Sequence, residues 1–117
     1  MKNSESQVIE ANNALTKKEY EKALKLLEPL VKNEIPGALG LLGVMYQLGE
    51  GVPLNGEKAV ELLTRAVELG DGTAAHNLGT IYSGGLPDIE KNYEKSKMYY
   101  RKAKEMGAQF APDEFYE

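Results

Sequence analysis

The sequence has no cysteine among its 117 residues and only one histidine, His76. The absence of cysteine excludes disulfides, thiolate nucleophiles and every metal site that depends on cysteine ligands. A single histidine with dispersed carboxylates offers no ligand cluster of recognisable spacing. We therefore predict neither a metal site nor a cofactor site.

Long apolar runs are also missing. No stretch approaches the roughly 18 apolar residues of a membrane span. The chain begins with the polar segment MKNSESQ, where a secretory signal would need an apolar run of about seven or more residues. If Met1 is the native start, these features predict a cytoplasmic protein that has no membrane partner.

The chain has fewer basic than acidic residues, 14 against 18. The formal net charge is −4, and nucleic-acid binding generally needs a basic excess or a concentrated basic face, so we do not expect a nucleic-acid partner. With 42% hydrophobic and 27% charged residues, the composition is that of one ordinary globular domain. No stretch alternates with a period of two for long enough to predict a sheet.

What the chain does contain is a repeat, with matching residues 36 or 37 positions apart. A fixed period of this size marks an array of structural repeats, whose stacked units form an extended surface that usually holds other proteins. The first set of matches pairs Ala38, Leu42, Gly43, Tyr46 and Gly49 with Ala74, Leu78, Gly79, Tyr82 and Gly85. The second set pairs Asn55, Glu57, Lys58, Ala66, Glu68 and Gly70 with Asn92, Glu94, Lys95, Ala103, Glu105 and Gly107.

Two glycines lie within the apolar stripes of predicted helices. Gly43 falls between Leu42 and Tyr46, where glycine costs about 1 kcal/mol relative to alanine. Gly79 occupies the same place in the second copy. The recurrence indicates that a neighbouring helix packs against the backbone at this point.

Helix boundaries follow from glycine, proline and capping residues. Gly49 and the following Gly51-Val52-Pro53 segment predict the end of one helix, and Asn55 is a plausible N-cap of the next. Asp71 predicts the start of a helix over about 72–83, which a loop over 84–91 connects to a helix over about 92–106. A weaker helix pair precedes the first full copy, and we expect Pro29 to kink or break its second helix.

The motif Ala-x-x-x-Leu-Gly-x-x-Tyr-x-x-Gly-x-Gly-Val, followed by Asn-x-x-Lys-Ala and Ala-x-Glu-x-Gly, resembles the Sel-one-like repeat family, a relative of the tetratricopeptide repeats. The resemblance implies an all-α fold, a short right-handed α-solenoid of about three antiparallel helix pairs in one domain. The implied units are a tetratricopeptide-like pair over 8–35, repeats over 36–71 and 72–107, and a C-terminal cap over 108–117. The second copy departs from the pattern at Leu86-Pro87 and Ser96, which puts its loop geometry in question.

The resemblance also implies a non-catalytic adaptor that binds a protein or peptide on the concave face of its first helices. By analogy with tetratricopeptide packing, the predicted inward-facing residues are Gly40, Val44, Gln47, Leu48, Thr73, His76, Thr80 and Ser83. A second hypothesis is a bacterial immunity protein that inhibits a cognate toxin, since a small acidic domain fits both roles. The outer face of the last helix offers an alternative docking patch, formed by Lys97, Arg101 and Lys104.

An enzyme that uses His76 as a base is the weakest of the hypotheses. Thr80 lies one helical turn away, and Ser83 lies about 10 Å along the helix axis, too far for a hydrogen bond. The loops at Gly49–Gly51 and Gly84–Gly85 resemble phosphate cradles only superficially, because they follow helices and not strands. We therefore predict no catalytic residue.

The predicted C-terminal cap gives a first test. Three repeats are near the minimum for a stable array, and Phe110, Phe115 and Tyr116 could cover the final helix pair. We expect deletion of residues 108–117 to lower the melting temperature by several degrees, which corresponds to roughly 1–2 kcal/mol in a domain of this size. A melting curve, followed by circular dichroism, that is unchanged by the deletion would contradict a capping role.

Overall fold

A computed structural model of the chain describes residues 3–108, and this part consists of six α-helices joined by loops. The helices are α1 (Ser4–Thr16), α2 (Tyr20–Lys32), α3 (Pro36–Leu48), α4 (Gly56–Glu68), α5 (Gly72–Gly84) and α6 (Tyr93–Glu105). Within residues 3–108 the only extended pairing is an isolated bridge between Leu86 and Ile89, so the prediction of an all-α fold is confirmed. The aromatic residues predicted to cap the last pair, Phe110, Phe115 and Tyr116, lie outside the described residues.

The six helices form three hairpins that stack in a row. Each odd-numbered helix packs most extensively on the helix that follows it, as α1 on α2, α3 on α4 and α5 on α6. Helix α3 also approaches α1 and α5, whereas α2, α4 and α6 make no comparable approach to one another in the described part of the chain. The odd-numbered helices therefore form an inner layer, and the stack curves around it as an α-solenoid.

Several predicted helix boundaries are confirmed. The Asn55 side chain accepts a hydrogen bond of 3.0 Å from the backbone N–H of Lys58, as expected of an N-cap. Asp71 caps α5 in the same way through Thr73 and Ala74. Gly49 ends α3 in the left-handed conformation, with φ of 66°, which glycine adopts without steric cost.

Of the kink or break expected at Pro29, the break does not occur, since α2 continues to Lys32. A proline removes one backbone donor and crowds the preceding turn. Pro29 is exposed, whereas Leu27 and Leu30 on either side of it are buried in the core. The apolar face of α2 therefore holds the last turn in place across the proline.

Small residues allow the helices to pack closely. Many of the completely or almost completely buried positions are alanines, which bring neighbouring backbones near one another: Ala11, Ala14, Ala23, Ala38, Ala59, Ala66, Ala74, Ala75 and Ala103. The largest fully buried side chains are those of Leu27, Met45, Leu63, Leu78 and Ile81.

The close approach predicted at Gly43 and Gly79 is confirmed. A Cβ atom added at Gly43 would lie 2.8 Å from Cγ of Leu63, and one added at Gly79 would lie 2.6 Å from the ring of Tyr100. The Leu63 side chain is fully buried, so the added atom would overlap with a side chain packed in the core. Glycine at this position therefore sets the distance between the two helices of each full repeat.

Gly56 is crowded as well. It is the first residue of α4, a position where the local sequence predicts no close neighbour, yet Gly56 is buried. A Cβ atom at Gly56 would lie 2.7 Å from Cγ1 of Ile89, and its N–H donates to Asp88 over 3.0 Å. The neighbours that crowd Gly56 belong to the next repeat, so its local sequence contains no sign of them.

The Leu86-Pro87 departure produces a loop that ties the second repeat to the first. Leu86 and Ile89 exchange two backbone hydrogen bonds, which form a tight turn around Asp88. The Asp88 carboxylate then accepts from the N–H groups of Gly56 and Glu57, both over 3.0 Å. Asp88 thus caps α4 from the neighbouring repeat, where a carboxylate also interacts favourably with the helix dipole.

Gly43 provides a test of the packing. We expect Gly43→Ala to lower the free energy of unfolding by roughly 1–3 kcal/mol, because the added methyl group overlaps with Leu63. The matched control is Gly84→Ala, since Gly84 is exposed and a Cβ atom there would meet no atom within 4 Å. This control should stay within about 0.5 kcal/mol of the wild type or exceed it. Equal losses in urea unfolding curves would contradict the close-approach argument.

Candidate functional site

A groove of about 290 Å³ lies on the inner layer, between α1, α3 and the start of α5. Its walls contain residues from all three helix pairs, so it is a feature of the stacked array and not of any one repeat. The lining residues are Val8, Ile9, Asn12, Gly37, Gly40, Leu41, Val44, Asp71, Thr73, Ala74 and Asn77.

Larger depressions exist elsewhere, and their lining makes them weaker candidates. One, of about 790 Å³, lies beside the start of α2, where Tyr20 and Leu26 stand among five charged side chains. The next, about 520 Å³, lies on the outer layer around an exposed ion pair between Arg65 and Glu34. Binding pockets are usually lined predominantly by apolar groups with a few polar ones, and the groove between α1, α3 and α5 has that composition.

The groove exists because α3 presents glycines to both of its neighbours in the inner layer. A Cβ atom at Gly37 would lie 3.0 Å from Cγ1 of Val8 on α1, and one at Gly40 would lie 2.7 Å from Oδ2 of Asp71. Because Gly37 and Gly40, one helical turn apart, have no side chains, α1 and the start of α5 can lie close to the backbone of α3. The groove floor is therefore backbone, and the apolar side chains form its sides.

The sides of the groove retain accessible apolar surface. Val8, Leu41 and Val44 are partly buried, and each packs against a core cluster. Ile9 also lines the groove and has 58% of its surface exposed. Covering these side chains with a partner would remove apolar surface from water and so favour binding.

Asp71 is the one charged residue among the described groove-lining residues. Its Oδ1 atom accepts hydrogen bonds from the N–H groups of Thr73 over 3.0 Å and Ala74 over 3.3 Å. Its Oδ2 atom faces Gly40 and makes no hydrogen bond to any residue in the described range. Burial raises the pKa of this carboxyl above its ordinary value, and the two backbone hydrogen bonds offset that effect only in part.

Of the residues predicted to face inward, the groove brings together Gly40, Val44 and Thr73. Val44 and Thr73 contribute side chains, whereas Gly40 is buried and contributes floor. Gln47, Leu48 and Ser83 lie near the C-terminal ends of α3 and α5 and do not line the groove.

The wall that α1 contributes was missed by the sequence analysis. A signal for it exists, because the Asn3 side chain accepts a hydrogen bond of 2.8 Å from the N–H of Ser6. An asparagine followed by polar residues is a recognisable N-cap, and it starts the helix early enough to place Val8 and Ile9 within it. From the sequence, Asp71 was identified only as the N-cap of α5, although its side chain also lines the groove.

His76 and Thr80 lie against α6 instead of in the groove. The His76 ring is tilted against the ring of Tyr100, with the centroids 5.1 Å apart. The Thr80 hydroxyl donates to the backbone carbonyl of His76 over 3.2 Å and lies 3.2 Å from the Tyr100 hydroxyl. Burial lowers the pKa of His76, which keeps the imidazole neutral near pH 7.

The outer face of α6 has mixed charge. The ammonium group of Lys97 lies 5.4 Å from the centroid of the Tyr93 ring, in cation–π geometry. The depression beside it is lined by Arg101 and Lys102 but also by Glu94 and Glu105. The two carboxylates reduce the net positive charge of the predicted basic patch, which consists of Lys97, Arg101 and Lys104.

Two further features are absent from residues 3–108. This part of the chain has no group of three or more histidine, aspartate or glutamate side chains placed to hold a metal ion. None of its helices has the length and apolar character needed to cross a bilayer.

Comparison with protein families identifies the repeat. A family model described as Sel1 repeat matches residues 36–71 and again residues 72–107. No curated protein matches the sequence significantly.

Solved structures show the same fold. A Sel1 repeat protein from Oxalobacter formigenes is 33% identical, with a TM-score of 0.73 over 85% of this chain and 39% of that chain. A protective antigen present in uropathogenic Escherichia coli strains, which displays an SLR fold, also has a TM-score of 0.73. It is 23% identical, over 89% of this chain and 23% of that chain. The chain thus spans less than half the length of either relative.

The position of Asp71 leads to a prediction about pH. A carboxyl whose pKa is raised on folding contributes stability that is present below its unfolded pKa, near 3.8, and lost as the pH rises through the folded value. We therefore expect Asp71→Asn, which keeps an N-cap oxygen, to raise the melting temperature at pH 7 and to lose this advantage below pH 3.8.

Glu90→Gln is the control for this experiment, because Glu90 is exposed and its replacement changes the net charge equally. Melting curves of both variants should be recorded across the acid range. If Asp71→Asn is the less stable protein at pH 7, the attraction between the carboxylate and the α5 N-terminus outweighs its burial, and our account of the residue is wrong.

Proposed function

The chain belongs to the Sel1 repeat family, and from this membership we propose that it is a non-catalytic adaptor that binds a protein or peptide in the groove between α1, α3 and α5. Proteins built from Sel1 repeats generally serve in protein–protein interaction. The observation that supports the groove as the binding surface is its composition: accessible apolar side chains from α1 and α3 surround a single charged group.

The groove has the arrangement in which a few residues dominate binding energy. Such residues lie in the centre of an interface, in a pocket that the partner desolvates. Val44, Leu41 and the exposed Ile9 all line the groove. A partner side chain between them would be surrounded by three helices.

The non-enzymatic part of the proposal is supported by the surroundings of His76. Its neutral ring packs on Tyr100, and the nearby Thr80 hydroxyl is held by a backbone carbonyl and by the Tyr100 hydroxyl. A general base must lie within hydrogen-bonding reach of the proton that it removes. The role that best fits this trio is packing between α5 and α6.

The cellular location of the protein and the class of its partner stay predictions. A cytoplasmic location is expected from the polar N-terminal segment, and the negative net charge argues against nucleic acid as the partner. An immunity protein would use the same groove, and it would differ from an adaptor in binding a single folded enzyme whose activity it suppresses. An activity assay on the identified partner separates these two roles.

The partner can be identified by photo-crosslinking from defined positions. A benzophenone amino acid placed at Ile9 reports on the groove, and one placed at Glu61 reports on the outer layer, since both residues are exposed. Mass spectrometry of the products formed in the source cells would name the proteins captured. A partner specific to the groove should crosslink from Ile9 and not from Glu61.

With that partner purified, we expect Ile9→Asn combined with Val44→Asn to weaken binding by about tenfold or more, because two apolar contacts of the groove are lost. Leu48→Asn is the matched control: Leu48 is 53% exposed, similar to Ile9, and lies on the same inner layer but outside the groove. Its effect should stay within about twofold. Affinities are measured by calorimetric titration, after circular dichroism has shown that each variant is folded.

One result would move the binding site. Charge reversal at Lys97 and Arg101 on α6 should leave the affinity unchanged if the groove is the binding surface. Binding that survives the groove substitutions but is lost on this reversal would place the partner on the outer face of α6 and refute the proposal.

A further inference from the structure

The groove has an electrostatic character that narrows the chemistry of its occupant. Asp71 is its one charged lining residue, and no lysine, arginine or histidine is among the described residues that line it. A half-buried carboxylate without a cationic partner attracts positive charge more strongly than an exposed one, because water screens it less. The charge of the groove therefore favours a positively charged ligand group.

We infer that the groove takes a lysine side chain of the partner, with the aliphatic stem against Val8, Leu41 and Val44 and the ammonium group on Oδ2 of Asp71. This inference rests on the proposed function, since it specifies what the same groove binds. A lysine stem buries its methylene groups along apolar surface while its head stays with a polar group. The groove offers those two environments side by side.

Lysine fits better than arginine because of the hydrogen bonds that Asp71 already makes. Both backbone donors, from Thr73 and Ala74, converge on Oδ1. Only Oδ2 is left to accept, so the carboxylate cannot form the paired bonds that make arginine–carboxylate contacts strong. The compact ammonium group of lysine forms each hydrogen bond with one acceptor atom, so one available carboxylate oxygen is sufficient for it.

Other side chains with oxygen acceptors line the same groove. Asn12 and Asn77 line the groove together with Asp71, and their side-chain amides present carbonyl oxygens. The Thr73 hydroxyl is a further acceptor on the same lining. An ammonium group has three donors and no acceptor, which matches this surrounding of oxygen atoms.

The floor of the groove supports the same conclusion. A Cβ atom at Gly40 would lie 2.7 Å from Oδ2 of Asp71, so even an alanine there would press against the carboxylate. Glycine at this position avoids that overlap, and both Gly40 and Asp71 line the groove. Gly40→Ala therefore tests the same contact from the opposite side.

The test uses four short peptides and the whole protein. Acetyl-Ala-Leu-Lys-Leu-Ala-amide is titrated into nitrogen-15-labelled protein, and the backbone amide shifts of groove residues are followed by NMR. The three matched peptides carry norleucine, arginine or glutamate in place of the lysine. Norleucine keeps the aliphatic stem and removes only the charge.

We expect the lysine peptide to shift the amides of Asp71, Thr73 and Asn77 with an affinity about tenfold higher than that of the norleucine peptide. The arginine peptide should bind more weakly than the lysine peptide, and the glutamate peptide should not bind. Asp71→Asn should remove the advantage of lysine over norleucine, and Gly40→Ala should reduce it. Glu90→Gln, which changes the net charge equally, should leave it intact.

Other outcomes overturn the inference without touching the proposed function. Equal affinities for the lysine and norleucine peptides, or lysine-dependent shifts confined to exposed carboxylates outside the groove, would show that Asp71 does not recognise an ammonium group. The same holds if no peptide shifts a groove amide at millimolar concentration. If the Ile9 and Val44 substitutions still abolish partner binding, the groove remains the binding surface and only its lysine specificity is wrong.

Discussion

The fold depends on how closely the two helices of a repeat can approach. At Gly43 and Gly79 there is no space for even a methyl group, because the partner helix places Leu63 or Tyr100 directly against the backbone. In the second repeat the contact is reinforced, since the buried Ser96 hydroxyl donates to the Gly79 carbonyl over 2.8 Å. The helix pair of each full repeat is therefore thin, and α3 lies between α1 and α5 on the inner layer of the stack. The groove is a consequence of this packing.

Asp71 shows how structure and proposed function compete within one residue. As an N-cap it supplies the oxygen that α5 needs, which is a favourable position for a carboxylate. Its place against Gly40 also takes the charge partly out of water, which raises its pKa. Asparagine would cap the helix equally well and avoid the cost of burying a charge. A charge that lowers the stability of the folded state is typical of binding-site residues, because stability and function make opposite demands there.

The sequence predicted those features whose causes are local or periodic. The repeat itself indicates the helices, the caps at Asn55 and Asp71 follow from neighbouring residues, and the recurrence of Gly43 as Gly79 reveals a packing constraint. The failures have distant causes. Gly56 is crowded by a loop from the next repeat, 32 residues away in the case of Asp88. The α1 wall of the groove belongs to the degenerate first pair, where no periodic match marks which residues face inward. Contacts between units are the part of a repeat protein that its repeat pattern does not encode.

Those contacts between units also determine the shape of the groove. Glu34 adopts a left-handed conformation, with φ of 53°, at the position where the later units have Gly70 and Gly107. A glutamate there is strained, but its carboxylate accepts two hydrogen bonds from Arg65, of 2.7 and 3.1 Å, which join the first unit to the second. Asp88 joins the second repeat to the first in a comparable way. Since the groove takes one helix from each of three units, its width depends on the angles that these two connections hold. Residues on the outer layer thus influence the shape of the groove on the inner layer through the geometry of the stack.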